Sequence, residues 1–306
     1  MMPDPLREKE DALVAWLRER GSVLIGFSGG VDSAYLACVA LDALGAENVL
    51  AVIGRSASYP MEQWTRARAV AERFGVPVLE LNTEELADPR YAANPVNRCY
   101  FCKSELWSRL VLIAAGRGLA MVLDGTNADD LGDHRPGRRA AAEHGVASPL
   151  ATLGFTKPEI RELSRARDIP TWSQPSSPCL SSRLPYGTEV TPIRLARVEA
   201  AERALRALGV AGDLRVRYYG ETARVELSRE ELSLWRTEER REGLRLAVTS
   251  AGFGRVELDL RGFQSGSLNG RNEPLEIAVL NAGILPLPSD SSLSSDQLLS
   301  APSSPL

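Results

Sequence analysis

The chain has 306 residues, of which 44% are hydrophobic and 25% are charged, and its formal net charge is −4. This composition is typical of a globular protein with room for two domains, and the acidic balance disfavours broad affinity for nucleic acid. The apolar runs are shorter than the roughly 18 residues of a membrane span, residues 1–10 lack the apolar core of a secretory signal, and the four cysteines are too few for a disulfide scaffold, so we expect a cytoplasmic protein.

Short apolar runs alternate with helical patterns in the first half of the chain. After a helical pattern at 11–20, strands are predicted at 23–27, 49–53, 76–81 and 121–123, with helices at 33–44, 60–74 and 103–116. This alternation predicts an α/β fold with a doubly wound parallel sheet, in which ligands bind beyond the carboxyl ends of the strands. Three segments leave strands at that edge, so we expect them to converge: 28–33, 54–60 and 124–133.

The turn between the first strand and the first long helix reads SGGVDS. Two glycines let the backbone approach an anion, and the N–H groups of a helix N-terminus point toward it. The loop lacks the spacing and the lysine of a Walker A motif. A plain glycine turn is the alternative, but we expect a phosphate site, with Asp32 orienting loop amides, placing Mg²⁺ or only capping the helix. The predicted phosphate-binding residues are Ser28, Gly29, Gly30, Asp32 and Ser33.

The chain changes character after about residue 150. Helices are predicted at 155–167, at 191–208 and near 229–251, with a hairpin formed by 214–219 and 223–227 and a further strand at 254–259. We therefore predict an α/β domain with the phosphate-binding loop over 1–150 and a smaller α+β domain over 151–260. The segment 285–306 is rich in serine and proline without periodicity and is predicted to be a disordered tail.

Three cysteines lie in polar or aromatic surroundings. Cys99 and Cys102 form a CxxC pair, and Cys179 opens the segment CLSSRLPYG. By itself the pair fits half a zinc site, a redox pair, an iron–sulfur anchor or two buried thiols. Zinc is disfavoured because there is no second CxxC and the only histidines are His134 and His144, which have no partner pattern. Cys38 lies on an apolar helix stripe and is expected in the core.

Four motifs together resemble the LarE family of sulfur transferases, which belong to the PP-loop ATP pyrophosphatases. They are SGGVDS, DGTNADD at 124–130, RCYFCK at 98–103 and CLSSRLPYG at 179–187, and the resemblance extends from about residue 8 to 260. It implies an adenine nucleotide alpha hydrolase-like fold. It also implies an enzyme that adenylylates the carboxylates of pyridinium-3,5-biscarboxylic acid mononucleotide and converts them to thiocarboxylates during nickel-pincer nucleotide biosynthesis.

The resemblance implies two alternative sources of the sulfur. In one, Cys179 acts alone, gives up its own sulfur and becomes dehydroalanine. In the other, Cys99, Cys102 and Cys179 hold a [4Fe-4S] cluster that carries an extra sulfide, and the presence of all three thiols favours this mode. The implied cofactors are thus ATP, Mg²⁺ and a [4Fe-4S] cluster, and Cys179 and Asp32 are the expected catalytic residues.

Further site residues follow from the strand ends and from the second domain. Gly125, Thr126 and Asn127 are expected to close over the nucleotide. Three arginines are candidates for the substrate's phosphate and spare carboxylate because guanidinium groups match both anions: Arg183, Arg215 and Arg217. Three glutamates are candidates for a Mg²⁺ site near that phosphate: Glu199, Glu202 and Glu226. Surface salt bridges are the alternative for both groups.

Three other activities compete with this prediction. A PP-loop tRNA thiolase should carry a basic RNA-binding module, whereas the second domain mixes arginines with many glutamates. An amidotransferase-type synthetase would need a glutaminase partner. A nucleotide-binding protein without turnover would not need the full motif set. We therefore expect a small-molecule substrate, neither nucleic acid nor a membrane as partner, and, from the resemblance, a homo-oligomer.

Overall fold

The computed structural model describes residues 4–132, 136–175, 177–264 and 275–281. The predicted tail and His134 lie outside these residues. Among the helices of the described ranges, none is both long enough and apolar enough to cross a bilayer.

A four-stranded parallel sheet organises the first half of the chain. Its strands are β1 (Val23–Gly26), β2 (Val49–Arg55), β3 (Val78–Asn82) and β4 (Met121–Leu123). Their order in the sheet is β3-β2-β1-β4, and every neighbouring pair is parallel. The chain therefore moves outward from β1 to β3 and then returns to the other side of β1. The resulting switch point lies between β1 and β4, where open parallel sheets bind their ligands.

Helices cover both faces of this sheet. Their bounds are α1 (Asp4–Arg20), α2 (Val31–Leu44), α3 (Met61–Phe74), α4 (Pro89–Ala92), α5 (Arg98–Gly116), α6 (Pro136–Glu143), α7 (Pro149–Thr152) and α8 (Lys157–Ala166). One core joins the sheet to α1, α2, α3 and α8, and it includes the buried Cys38. A second core on the opposite face contains residues of α5 and α6. The predicted doubly wound α/β architecture is confirmed.

A separate mixed sheet forms the second half of the protein. It consists of β5 (Leu214–Tyr219), β6 (Thr222–Leu227), β7 (Arg255–Asp259) and β8 (Ile277–Leu280) in that order, with a parallel pair between two antiparallel ones. The helices α9 (Pro192–Ala207), α10 (Arg229–Leu234) and α11 (Glu238–Thr249) complete this half. Its core consists of apolar residues of these strands and helices, and Tyr91 and Leu180 join it from outside.

Two differences from the sequence prediction matter for the site. Helix α5 begins at Arg98 instead of residue 103, so the CxxC pair lies in the first turns of a helix. The core of the first sheet also continues beyond residue 150, because Phe155, Ile160, Leu163 and Ile169 pack in it. The division of the chain into domains near residue 150 stays a prediction. A third difference is strand β8, for which the sequence carried no prediction.

Candidate active site

The SGGVDS turn has the backbone geometry of an anion-binding loop. Gly29 has a φ of 70°, and a Cβ there would stand 2.5 Å from the Cβ of Ala67 on α3, so only glycine fits. Gly30 caps α2, and among the described residues no side chain caps the N-terminus of that helix. The Ser33 hydroxyl donates to the Gly30 carbonyl at 3.2 Å and lies 3.1 Å from the Ser28 hydroxyl. These contacts hold the loop in shape while amides at the helix N-terminus can receive an anion.

Asp32 lies at the centre of a polar network at the same helix N-terminus. Its carboxylate accepts a charged hydrogen bond from Lys157 at 2.5 Å and a longer one from Asn127 Nδ2 at 3.3 Å. The backbone N–H of Lys157 donates to Asp129 at 2.7 Å. A lysine therefore stands beside a phosphate-type loop that contains none of its own, and it can contact either Asp32 or an anion bound there.

The segment after β4 packs directly on this loop. A Cβ on Gly125 would stand 2.9 Å from the backbone nitrogen of Ser33. Thr126 donates to Asp124 through its backbone and its hydroxyl, at 3.0 and 2.9 Å. Asn127 is buried and its side-chain oxygen accepts from the Asp129 N–H at 3.0 Å. The predicted convergence of 28–33 with 124–130 is confirmed, and Gly125 is required by that close approach.

The loop after β2 contacts the segment that carries Cys179. The Leu180 N–H donates to the Ser58 carbonyl at 2.8 Å. The hydroxyls of Ser58 and Ser181 lie 3.0 Å apart, and each lies 2.7 Å from the hydroxyl of Tyr91. All three side chains are buried. Because each hydroxyl can donate one bond and accept another, this triangle satisfies all three donors. It holds the ligand-binding edge of the first sheet against the Cys179 segment.

Two of the three predicted cysteines adjoin this junction: Cys102 packs against the core that contains Leu180, and Cys179 directly precedes Leu180. Cys99 is exposed, whereas Cys102 and Cys179 are half-buried. Burial raises the pKa of Cys102, and the negative charges of Glu85, Cys179 and Cys99 raise it further. Burial also raises the pKa of Tyr91, and the charges of Cys179 and Cys102 add to that increase. Thiols that are far apart in the sequence are therefore electrostatic neighbours in the fold.

A buried cluster of arginines and glutamates adjoins Cys179. Arg183 is 2% exposed and donates through Nε and Nη2 to both carboxylate oxygens of Glu202, at 2.9 and 3.0 Å. Arg217 donates to Glu226 at 2.8 Å. Burial lowers the pKa of Arg215 to about 10, and the charges of Arg183 and Arg217 contribute. A bound anion would stabilise the charged form of Arg215, which burial and these two neighbouring charges disfavour.

The same arginines hold the turn that follows Cys179. Arg183 Nη1 donates to the carbonyls of Pro178 and Cys179, at 2.6 and 3.1 Å. Arg217 Nη1 donates to the Ser182 carbonyl at 2.8 Å. The turn over Leu180–Arg183 is therefore fixed to the arginine cluster by side chains that come from β5 and from the turn itself.

The three glutamates expected at a Mg²⁺ site have protein partners. Glu202 and Glu226 pair with arginines, and Glu199 accepts from the Met61 N–H at 2.6 Å. Within the ranges that the structure describes, no three histidine, cysteine or acidic side chains are positioned to hold a single metal ion. Binding of Mg²⁺ by these glutamates stays a prediction.

Sequence reasoning missed Lys157, Tyr91 and Asn94. A signal existed for Lys157, because a lysine in the first turn of a helix opposes the helix dipole and suggests a nearby acid. Tyr91 and Asn94 lie outside the four motifs, and each contacts the Cys179 segment across 90 or more residues, Tyr91 at Ser181 and Asn94 at Pro185. No local pattern could have revealed these two long-range contacts.

Comparisons with known proteins show which proteins this chain is similar to. The model of the NAD synthase family matches residues 6–98. An uncharacterised protein of Synechocystis sp. is 44% identical over 86% of this chain and 98% of its own length. Pyridinium-3,5-bisthiocarboxylic acid mononucleotide synthase of Lactiplantibacillus plantarum is 38% identical over 86% of this chain and 95% of its own. The structure of NMN synthetase from Francisella tularensis aligns with 56% of this chain and 75% of its own, with a TM-score of 0.47 and 19% identity.

Proposed function

Because this chain belongs to the family of pyridinium-3,5-bisthiocarboxylic acid mononucleotide synthases, the LarE family, we propose that it transfers sulfur to a pyridinium dicarboxylate mononucleotide at the expense of ATP. It is an ATP-using enzyme of the PP-loop class. In the proposed reaction a substrate carboxylate attacks the α-phosphorus of ATP, and pyrophosphate leaves. A sulfur nucleophile then attacks the acyl carbon and AMP leaves, so that a thiocarboxylate remains.

One observation carries the proposal: hydrogen bonds join the anion-binding edge of the parallel sheet to the residues next to Cys179. The link runs through the Ser58 carbonyl to the Leu180 N–H at 2.8 Å and through the Ser58 and Ser181 hydroxyls. A two-step reaction needs the activated acyl group to form where sulfur can reach it, because the adenylate is readily lost to water. The short connection supports a single site for both steps.

We assign adenylylation to the SGGVDS loop and its neighbours. The amides at the start of α2 would hold the leaving pyrophosphate, with the hydroxyls of Ser28 and Ser33. Lys157 would move from Asp32 to a phosphate oxygen when ATP binds, which frees Asp32 for Mg²⁺. Gly125, Thr126 and Asn127 would close over the α-phosphate.

We assign substrate binding to the arginine cluster. Arg183, Arg215 and Arg217 are all buried, and the charges of Arg183 and Arg217 repel the charge of Arg215. A nucleotide phosphate or a carboxylate between them would offset that repulsion and accept forked hydrogen bonds. Their contacts with the carbonyls of Pro178 and Ser182 keep this anion site next to Cys179.

We assign sulfur delivery to Cys99, Cys102 and Cys179. Three thiols from two segments suit a [4Fe-4S] cluster with one iron lacking a protein ligand, since thiolates are the usual ligands of such clusters. When bound, the cluster would supply an added sulfide as the nucleophile. In the alternative mode, the Cys179 thiolate attacks the acyl carbon, and elimination from the resulting thioester leaves dehydroalanine.

Spectroscopy and mass measurement distinguish these modes. Protein isolated without oxygen should show a broad band near about 400 nm from thiolate-to-iron charge transfer. Its mass should be unchanged after turnover. A colourless protein that loses the mass of H₂S after turnover would instead establish sacrifice of Cys179. A cytoplasmic location and a homo-oligomeric state stay predictions.

A further inference from the structure

The segment 91–98, which leads into the CxxC pair, is hydrogen-bonded to the loop that follows Cys179. Asn94 has a φ of 54° and is completely buried. Its side-chain amide donates to the carbonyls of Pro185 and Thr188, at 2.8 and 2.9 Å. Both hydrogens of the Asn94 amide are therefore donated to the turn at the end of the CLSSRLPYG segment.

The remaining polar atoms of Asn94 extend the connection to the CxxC helix. Its side-chain oxygen accepts from Nη1 of the buried Arg98 at 2.7 Å, and Arg98 directly precedes Cys99. Its backbone carbonyl accepts from the Gly187 N–H at 2.9 Å. One side chain thus bridges the turn after Cys179 and the first residue of α5.

Asn94 suits this position for two reasons. Asparagine tolerates the left-handed backbone better than other residues with a Cβ. Its amide also combines two donors with an acceptor, which match two carbonyls and one guanidinium. An aspartate would offer only acceptors to the carbonyls of Pro185 and Thr188, and a glycine would offer nothing. The chemistry at this position is therefore specific to asparagine.

We propose that Asn94 is a positioning residue for sulfur transfer, whose amide sets the separation between Cys179 and the CxxC helix. This inference rests on the proposed function. Cys102 packs against the core that contains Leu180 and Leu184, which lie between Cys179 and the Asn94-bound residues Pro185 and Thr188, so a shift of this segment changes the distance from Cys102 to Cys179. Within the described part of the chain, the Asn94 side chain hydrogen-bonds to residues of 184–188 and to Arg98 and not to the SGGVDS loop, so adenylylation should not depend on it.

The test compares Asn94→Gly with Asp168→Gly. Asp168 is the other described non-glycine residue with a positive φ, at 53°, and it is exposed at the end of α8. Both variants keep the backbone conformation and delete a side chain, but only the first removes the bridge. The direct readout is the rate at which a short bifunctional thiol reagent joins Cys102 to Cys179 in reduced, cluster-free protein, measured by peptide mass spectrometry.

We expect Asn94→Gly to slow this cross-linking by about tenfold or more. The reason is that the two buried hydrogen bonds to Pro185 and Thr188 no longer hold the turn after Cys179 close to the CxxC helix. AMP formation should equal that of the wild type, while thiocarboxylate formation falls by about 100-fold, the cost of misplacing reacting groups by about 1 Å. Asp168→Gly should match the wild type in all three measurements. A merely structural role would lower AMP formation and thiocarboxylate formation together.

Unchanged cross-linking in Asn94→Gly would overturn the inference. If that variant makes no AMP, Asn94→Asp takes its place, and loss of AMP formation there as well would also overturn it. Failure of the proposed function looks different: the wild type would release AMP without forming a thiocarboxylate, and the cross-linking comparison would still decide the role of Asn94.

Discussion

Replacing Glu202 with glutamine tests whether the arginine cluster depends on its carboxylates. Arg183 is 2% exposed, and its Nε and Nη2 atoms donate hydrogen bonds to the two carboxylate oxygens of Glu202. Glutamine would turn an NH₂ group toward the guanidinium and leave a buried positive charge without its counter-ion. Removing one partner of a buried pair costs about 3–5 kcal/mol, so the free energy of unfolding should fall by that amount.

Glu242→Gln is the matched control. Glu242 also makes a two-pronged pair with an arginine, Arg245, at 2.6 and 2.7 Å, but the arginine of this pair on α11 is 18% exposed, against 2% for Arg183. Its loss should cost about 0–1 kcal/mol. Urea unfolding with unchanged m-values measures both effects. If the two substitutions cost the same, the burial argument for the arginine cluster is wrong.

Two further predictions concern Lys157 and the thiols. Lys157→Gln should slow AMP formation by about 100-fold, as loss of a transition-state donor does, whereas Lys9→Gln, whose ammonium contacts the same helix but not Asp32, should not. Equal rates for the two variants would contradict the role of Lys157. In reduced, cluster-free protein, iodoacetamide should label the exposed Cys99 before Cys102, because burial raises the pKa of Cys102 and only the thiolate reacts. Labelling of Cys102 should rise with pH beyond the ordinary thiol range, and fast labelling at neutral pH would contradict this.

Much of the fold could be predicted because its signals are local. The runs at 23–26 and 49–55 are almost continuously apolar, as strands covered on both faces must be, and they form neighbouring parallel strands. The run Ile277–Leu280 is also apolar, but it has only four residues and only Leu280 is buried, and this edge strand was not predicted. The start of α5 was missed because Arg98, buried in its first turn, is held by Asn94 instead of by an apolar stripe.

The candidate site divides in the same way. The glycines of SGGVDS and the CLSSRLPYG segment were found from sequence, and the family resemblance that they indicated is confirmed. The contacts that assemble the site were not. Lys157 lies 125 residues from Asp32, and Tyr91 lies 90 residues from Ser181. Such pairs depend on how the elements pack, and a sequence read along one chain does not contain that information.

The most direct test of the central claim measures AMP and thiocarboxylate separately in two variants. Each variant is incubated with ATP and the pyridinium dicarboxylate mononucleotide. Asp32→Ala should form neither product, because the site for pyrophosphate and Mg²⁺ is lost. Cys179→Ala should still release AMP but form no thiocarboxylate. Thiocarboxylate formation by Cys179→Ala would contradict the account.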